Sequence, residues 1–129
     1  MGRTAVLLLI ARAGGVILVP ELVGDCFELA SLCPKAGAVL SRGVLLSHYG
    51  QEQGEALLRA TREALAPRGF LIFDFLNESG RNMSSHAPEN KSYFQGREVC
   101  AMARRAGFRG VRVLGEPKRR VRLLVAEVP

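Results

Sequence analysis

An α/β fold with an open, largely parallel sheet is predicted from three stretches of the chain. Ala38 to Ser41 and Phe70 to Phe75 are short apolar runs without the alternation of a half-wet strand, so both read as strands buried on two faces. Between them, Gln51 to Ala66 reads as a helix. Its Ala56, Leu57, Ala60, Ala64 and Leu65 recur at helical spacing, while Glu52, Glu55, Arg59, Arg62 and Glu63 fall on the wet side. Strand, crossover helix and strand make a right-handed parallel unit. Nearer the carboxyl end, Gly110 to Leu114 and Arg120 to Glu127 read as strands joined through Gly115-Glu116-Pro117-Lys118, an antiparallel hairpin that ends the sheet.

The other elements follow in order. Thr4 to Ala13 has no Gly or Pro and can be helical, with Gly14-Gly15 as its stop, yet TAVLLLI is an apolar run whose periodicity suits a strand equally well. Val16 to Val19 is then a short buried strand. Asp25 stands where it could cap a short helix, Cys26 to Leu32. Pro67 and Gly69 stop the long helix and turn the chain into Phe70 to Phe75. Glu78 to Ser92 is polar and aperiodic, with Met83 as its only large apolar anchor; it reads as a long loop over the strand ends and as the most mobile internal segment. Tyr93-Phe94 ends that loop, and Gln95 to Ala106 forms the next helix, with Val99, Met102, Ala103 and Ala106 inward.

Composition narrows the class. The 129 residues suffice for one domain with a core, and 48% hydrophobic against 23% charged residues describes a globular protein rather than a disordered one. The net charge of +6 concentrates late in the chain, at Arg104, Arg105, Arg109, Arg112, Lys118, Arg119, Arg120 and Arg122. With Phe108 as the only interleaved aromatic, this run reads as a solvated face in preference to a nucleic-acid surface. The three cysteines, Cys26, Cys33 and Cys100, make neither an even set nor a metal-ligand pattern with His48 and His86, which points to reduced thiols in a cytoplasmic protein and to no metal. Arg12 interrupts the first apolar run, leaving neither a signal peptide nor the roughly twenty apolar residues of a membrane span.

Several strings resemble the second half of a class I S-adenosylmethionine-dependent methyltransferase. They are AVLSRGVLLSHYG at the fourth strand, the L-x-P-x-G turn Leu65-Ala66-Pro67-Arg68-Gly69, the Asp74-Phe75-Leu76-Asn77 that ends the fifth strand, Ala106-Gly107-Phe108, and the closing RVRLLVAE. Together they span roughly residues 21 to 127 in the family's order. Where the family usually has Gly in that turn, this chain has Arg68. The resemblance implies a three-layer Rossmann-like sheet of strand order three, two, one, four, five, seven, six, present here as a single incomplete domain. It also decides for a helix at Thr4 to Ala13, as the family's second helix, and for a third strand ending in Gly24-Asp25.

The cofactor implied is S-adenosylmethionine and the partner a small-molecule methyl acceptor. By resemblance, Asp25 accepts a hydrogen bond from the adenine amino group, Cys26 lends its backbone to the ring edge, and Ser41, Arg42 and Gly43 line the methionine and sugar portion. His48 and Tyr49, after the fourth strand, open the acceptor side; Asp74 and Asn77 end the fifth strand, and Tyr93 stands where the loop returns. Methyl transfer is an in-line displacement from a sulfonium, so holding the acceptor at attack distance is the main task. A base matters only when the acceptor must lose a proton, and His48 is the best-placed candidate for that, against the reading of a histidine hydrogen-bonded in a helix-entry loop, which the residues favour slightly.

The family's acidic residue followed by G-x-G-x-G has no counterpart in this sequence, nor has the acidic residue that holds the ribose. If Thr4 to Ala13 is the second helix, the chain starts after both, with Met1 an internal or misassigned start. Ala38 to Ser41 then becomes an edge where a central strand was intended. Two outcomes are expected: residues 4 to 10 turn into a strand beside Ala38 to Ser41, or the chain self-associates through that edge. The alternative to an enzyme is accordingly a non-catalytic, truncated methyltransferase-like chain acting through association with another chain.

Overall fold

A computed structural model describes residues 4–7, 11–12, 15–16, 22–32, 35–42, 44–83 and 91–129. In chain order the elements are strands β1 (Thr4–Leu7), β2 (Ala11–Arg12), β3 (Gly15–Val16) and β4 (Leu22–Asp25), helix α1 (Leu29–Leu32), β5 (Ala36–Ser41), α2 (Gln51–Ala64), β6 (Leu65–Asn77), β7 (Tyr93–Phe94), α3 (Gly96–Arg105), β8 (Arg109–Leu114) and β9 (Val121–Glu127). Short 3-10 turns cover Cys26–Glu28, Leu45–His48 and Glu78–Met83.

The central strand is β6. It lies parallel to β5, from Ala38 opposite Phe70 to Ser41 opposite Phe73, and antiparallel to β9, from Phe70 opposite Glu127 to Leu76 opposite Val121. The outer strand β8 pairs with β9. The order β5, β6, β9, β8 is the four, five, seven, six of the expected sheet. The α/β class and the closing hairpin are therefore as expected.

Alternation along β6 sorts its side chains. Leu71, Phe73 and Phe75 point into one core with Val39 of β5, Leu57 and Leu58 of α2, Val99, Met102 and Ala103 of α3, and Leu124 and Ala126 of β9. The two long helices therefore share one face of the sheet. Gly54 lies where they approach: a Cβ there would stand 2.8 Å from Met102 Cε and 3.3 Å from Leu46 Cδ1, so those side-chain ends would have to shift. Paired residues of neighbouring strands share a face, which puts Phe70, Leu114, Val121 and Leu123 on the other side, each more than a third exposed.

Four expectations are corrected. Of Thr4 to Ala13, the described residues are strands: β1 pairs with β4, and Arg12 of β2 pairs with Ala36 of β5. An apolar run without a discriminating period takes whatever partner tertiary structure offers, here Leu22 to Asp25. The strand ending in Gly24-Asp25 is present as β4, but it pairs with β1 in a two-stranded sheet apart from the main one instead of serving as the main sheet's third strand; Val16 lies in β3, opposite Ala11, and residues 17–19 lie outside the described residues. Pairing beside Ala38 to Ser41 is not found among the described residues, where Ala36 alone of β5 is paired on that side. Helix α2 ends at Ala64 rather than Ala66: Leu65 is already extended, at φ −85° and ψ 141°, because it pairs with Ala36, and Pro67 disfavours a helical Ala66.

Between Leu65 and Phe70 the chain advances five residues while β5 advances only from Ala36 to Ala38. The surplus loops out as the Ala66–Gly69 turn, with Arg68 left-handed at φ 64°. Helix α3 starts and ends as expected to within a residue. Glu98 Oε1 accepts the Gln95 backbone N–H at 2.9 Å, and a Schellman pair closes the other end, Phe108 N–H to the Ala103 carbonyl and Gly107 N–H to the Arg104 carbonyl.

Candidate functional site at the carboxyl end of the sheet

In an open parallel sheet the loops after the strand ends form the natural crevice. Here those ends are Ser41 of β5 and Asn77 of β6, with β7 laid parallel beside Leu76 and Asn77. The loop after β5 turns sharply at Val44, a left-handed residue at φ 52° and ψ 42°, into the 3-10 turn Leu45–His48.

The expected acceptor residues follow β5 and end β6 or lie beside it on β7, in different environments. His48 is exposed, and Lys91 Nζ lies 2.9 Å from its Nδ1 and 3.2 Å from its Nε2. An ammonium can only donate, so the imidazole nitrogen it meets acts as acceptor. Tyr49 is buried in the core, its ring edge-to-face with Phe27 at 5.1 Å between centroids. Asp74 is buried, and its Oδ1 accepts the Val44 N–H at 2.8 Å. Tyr93 is half-buried on β7, opposite Leu76.

Asn77 is turned to a different task. Its Nδ2 donates to the carbonyls of Pro117 at 2.7 Å and Arg119 at 2.8 Å, while its backbone N–H donates to Arg120 O at 2.8 Å. It fastens the β8–β9 turn to the end of β6. Gly80 presses on the same place, for a Cβ there would run into the Arg119–Arg120 backbone.

On the expected cofactor side, Ser41 is half-buried and Arg42 exposed where β5 ends. Asp25 ends β4, and Cys26 opens the 3-10 turn that leads into α1, which packs on α2. Gly43 lies outside the described residues. Ser47, absent from the sequence-based expectation, is fully buried; its Oγ accepts the Leu76 N–H at 2.8 Å and its carbonyl accepts the Ser92 N–H at 2.7 Å. No local signal marks a serine whose partners lie 29 and 45 residues away.

Of the loop expected from Glu78 to Ser92, Glu78–Met83 is a 3-10 turn and residues 84–90 lie outside the described residues. Among the described residues, no helix is long and apolar enough to cross a membrane, and no group of His, Cys, Asp and Glu could hold a metal ion.

Methyltransferases, S-adenosylmethionine-dependent ones included, are among the solved structures that share this arrangement, and the chain has the class I methyltransferase fold in common with them. One is a provisional O-methyltransferase of Nostoc punctiforme, 25% identical over 82% of this chain and 35% of its own, with a TM-score of 0.65. Another is the CcbJ methyltransferase of Streptomyces caelestis, 16% identical over 87% of this chain and 69% of its own, at 0.67. A third is magnesium protoporphyrin IX methyltransferase of Synechocystis, solved with bound SAH, 20% identical over 79% of this chain and 49% of its own, at 0.56. The chain spans 34–43% of the length of five of the structures it matches. No family model and no curated protein matches the sequence.

Proposed function

We propose that the chain carries the acceptor-side part of an S-adenosylmethionine-dependent methyltransferase acting on a small molecule. The observation that supports it is the unit β5-α2-β6 followed by the β9–β8 hairpin, in a chain of which 79–87% matches solved methyltransferases at TM-scores of 0.56–0.67. By the resemblance, Ser41 and Arg42, at the end of β5, and Asp25 and Cys26, at the end of β4, are the residues assigned to the cofactor's outer edge. They do not supply the glycine-rich cradle, since no G-x-G-x-G follows an acidic residue in this sequence.

When bound, the cofactor supplies an electrophilic methyl on a sulfonium. The chain's own contribution is to hold the acceptor in line and exclude water, with Tyr49 and the β7 segment as walls. For an acceptor that must lose a proton, His48 receives it through the ring nitrogen that otherwise meets Lys91. A cytoplasmic setting belongs to the same reading.

Calorimetric titration of the chain with S-adenosylhomocysteine tests this. The expected result is saturable binding far weaker than that of an intact methyltransferase. No binding at all removes the cofactor reading; ordinary micromolar affinity means that residues 1–20 have improvised a cofactor loop.

A second reading, a non-catalytic chain that works by association with another chain, draws support from β5. Among the described residues its outer side is paired only at Ala36. A solution mass that rises with concentration is its test.

A further inference from the structure

Val44 is the conformational pivot of the site. A β-branched residue rarely adopts φ 52°, so the turn from β5 toward His48 must be held from outside. Asp74 holds it: one carboxylate oxygen accepts the Val44 N–H at 2.8 Å across 30 residues of sequence. Ser47, one turn further on, donates its N–H to the Val44 carbonyl at 2.9 Å and accepts the Leu76 N–H on its fully buried Oγ. Its carbonyl meanwhile receives the Ser92 N–H, which brings in the segment that carries Lys91 and Tyr93.

We propose that Asp74 and Ser47 are positioning residues that clasp the 44–49 turn to the end of β6, so that Asp74 serves by accepting a hydrogen bond rather than by offering a charge to the acceptor. The proposal rests on the methyltransferase reading for what is positioned: Arg42 on the cofactor side of the pivot and His48 on the acceptor side. Because the clasp joins both sides to one strand, loosening it at Asp74 disturbs cofactor binding without touching a cofactor-contacting residue.

The test uses the full chain with Asp74→Asn and Asp74→Ala, following Val44 amide exchange by NMR and S-adenosylhomocysteine binding by calorimetry. Asparagine keeps an oxygen for Val44 and removes the charge. Asp74→Asn is expected to keep Val44 protection and affinity within about threefold of the parent, and Asp74→Ala to speed exchange and weaken binding roughly tenfold. Equal loss in both variants overturns the proposal, as does parental Val44 exchange in Asp74→Ala. Binding that ignores a Val44 opened by alanine overturns it too. Should the alanine variant fail to fold, the asparagine variant decides alone. If the parent shows no binding heat, the cofactor reading falls, while Val44 exchange still judges the clasp.

Discussion

Arg68 occupies a backbone conformation that suits glycine, at φ 64° in the turn between α2 and the paired part of β6. A left-handed non-glycine residue costs about 1–2 kcal/mol, while glycine's extra unfolded-state freedom returns about 0.5–1 kcal/mol of that. Arg68→Gly should therefore raise stability by about 0.5–1 kcal/mol, read as a higher urea midpoint at unchanged slope. A lower midpoint would mean that the guanidinium makes contacts worth more than the strain. Asn77 predicts the opposite sign. Removing its amide leaves the Pro117 and Arg119 carbonyls without that donor, so Asn77→Ala should cost about 2–3 kcal/mol in the same measurement. The strained turn was visible in the sequence as an Arg where the resembled family has Gly. The work of Asn77 was not, because its partners stand 40 and 42 residues away, and an Asn at a strand end looks the same whether it faces a ligand or a loop.

Among the elements, α2 and α3 were legible because helical periodicity and end signals are local. Helix α3 is fixed at both ends, by Glu98 and by Gly107 at φ 97°. The carbonyl of Gly107 also accepts from Arg62 Nε at 3.2 Å, linking the end of α3 to α2, and a Cβ at Gly107 would meet that same Nε. Gly107→Ala should lower stability by about 1–2 kcal/mol, mostly as backbone strain, and shift the thermal midpoint down. The amino-terminal elements were not legible, since TAVLLLI satisfies helix and strand alike and only the distant Leu22 to Asp25 decides between them. Glu55, between Arg59 and Arg105 at 2.6 Å each, adds a half-exposed link of the kind worth about 1 kcal/mol at most.

For the molecule as a whole, one core on one face of the sheet leaves the other face with Phe70, Leu114, Val121 and Leu123 in solvent, and leaves β5 paired at Ala36 alone on its outer side among the described residues. Strand edges of this kind recruit further strands. Self-association through β5 should appear as a concentration-dependent mass in sedimentation, and Leu40→Lys, on the face away from the core, should return the chain to a single monomeric mass. Persistence of the larger species in that variant would move the interface elsewhere.

The position of β6 has a consequence for biosynthesis. Its partner β9 is the last described strand to be translated, so a nascent chain that has completed β6 shows a bare apolar edge while residues 78–127 are still being added. At about 5–20 residues per second, that interval lasts several seconds. Over that time the ribosome-bound polypeptide offers that edge for pairing with other chains, and a nonsense codon anywhere after β6 and before β9 would make the exposure permanent.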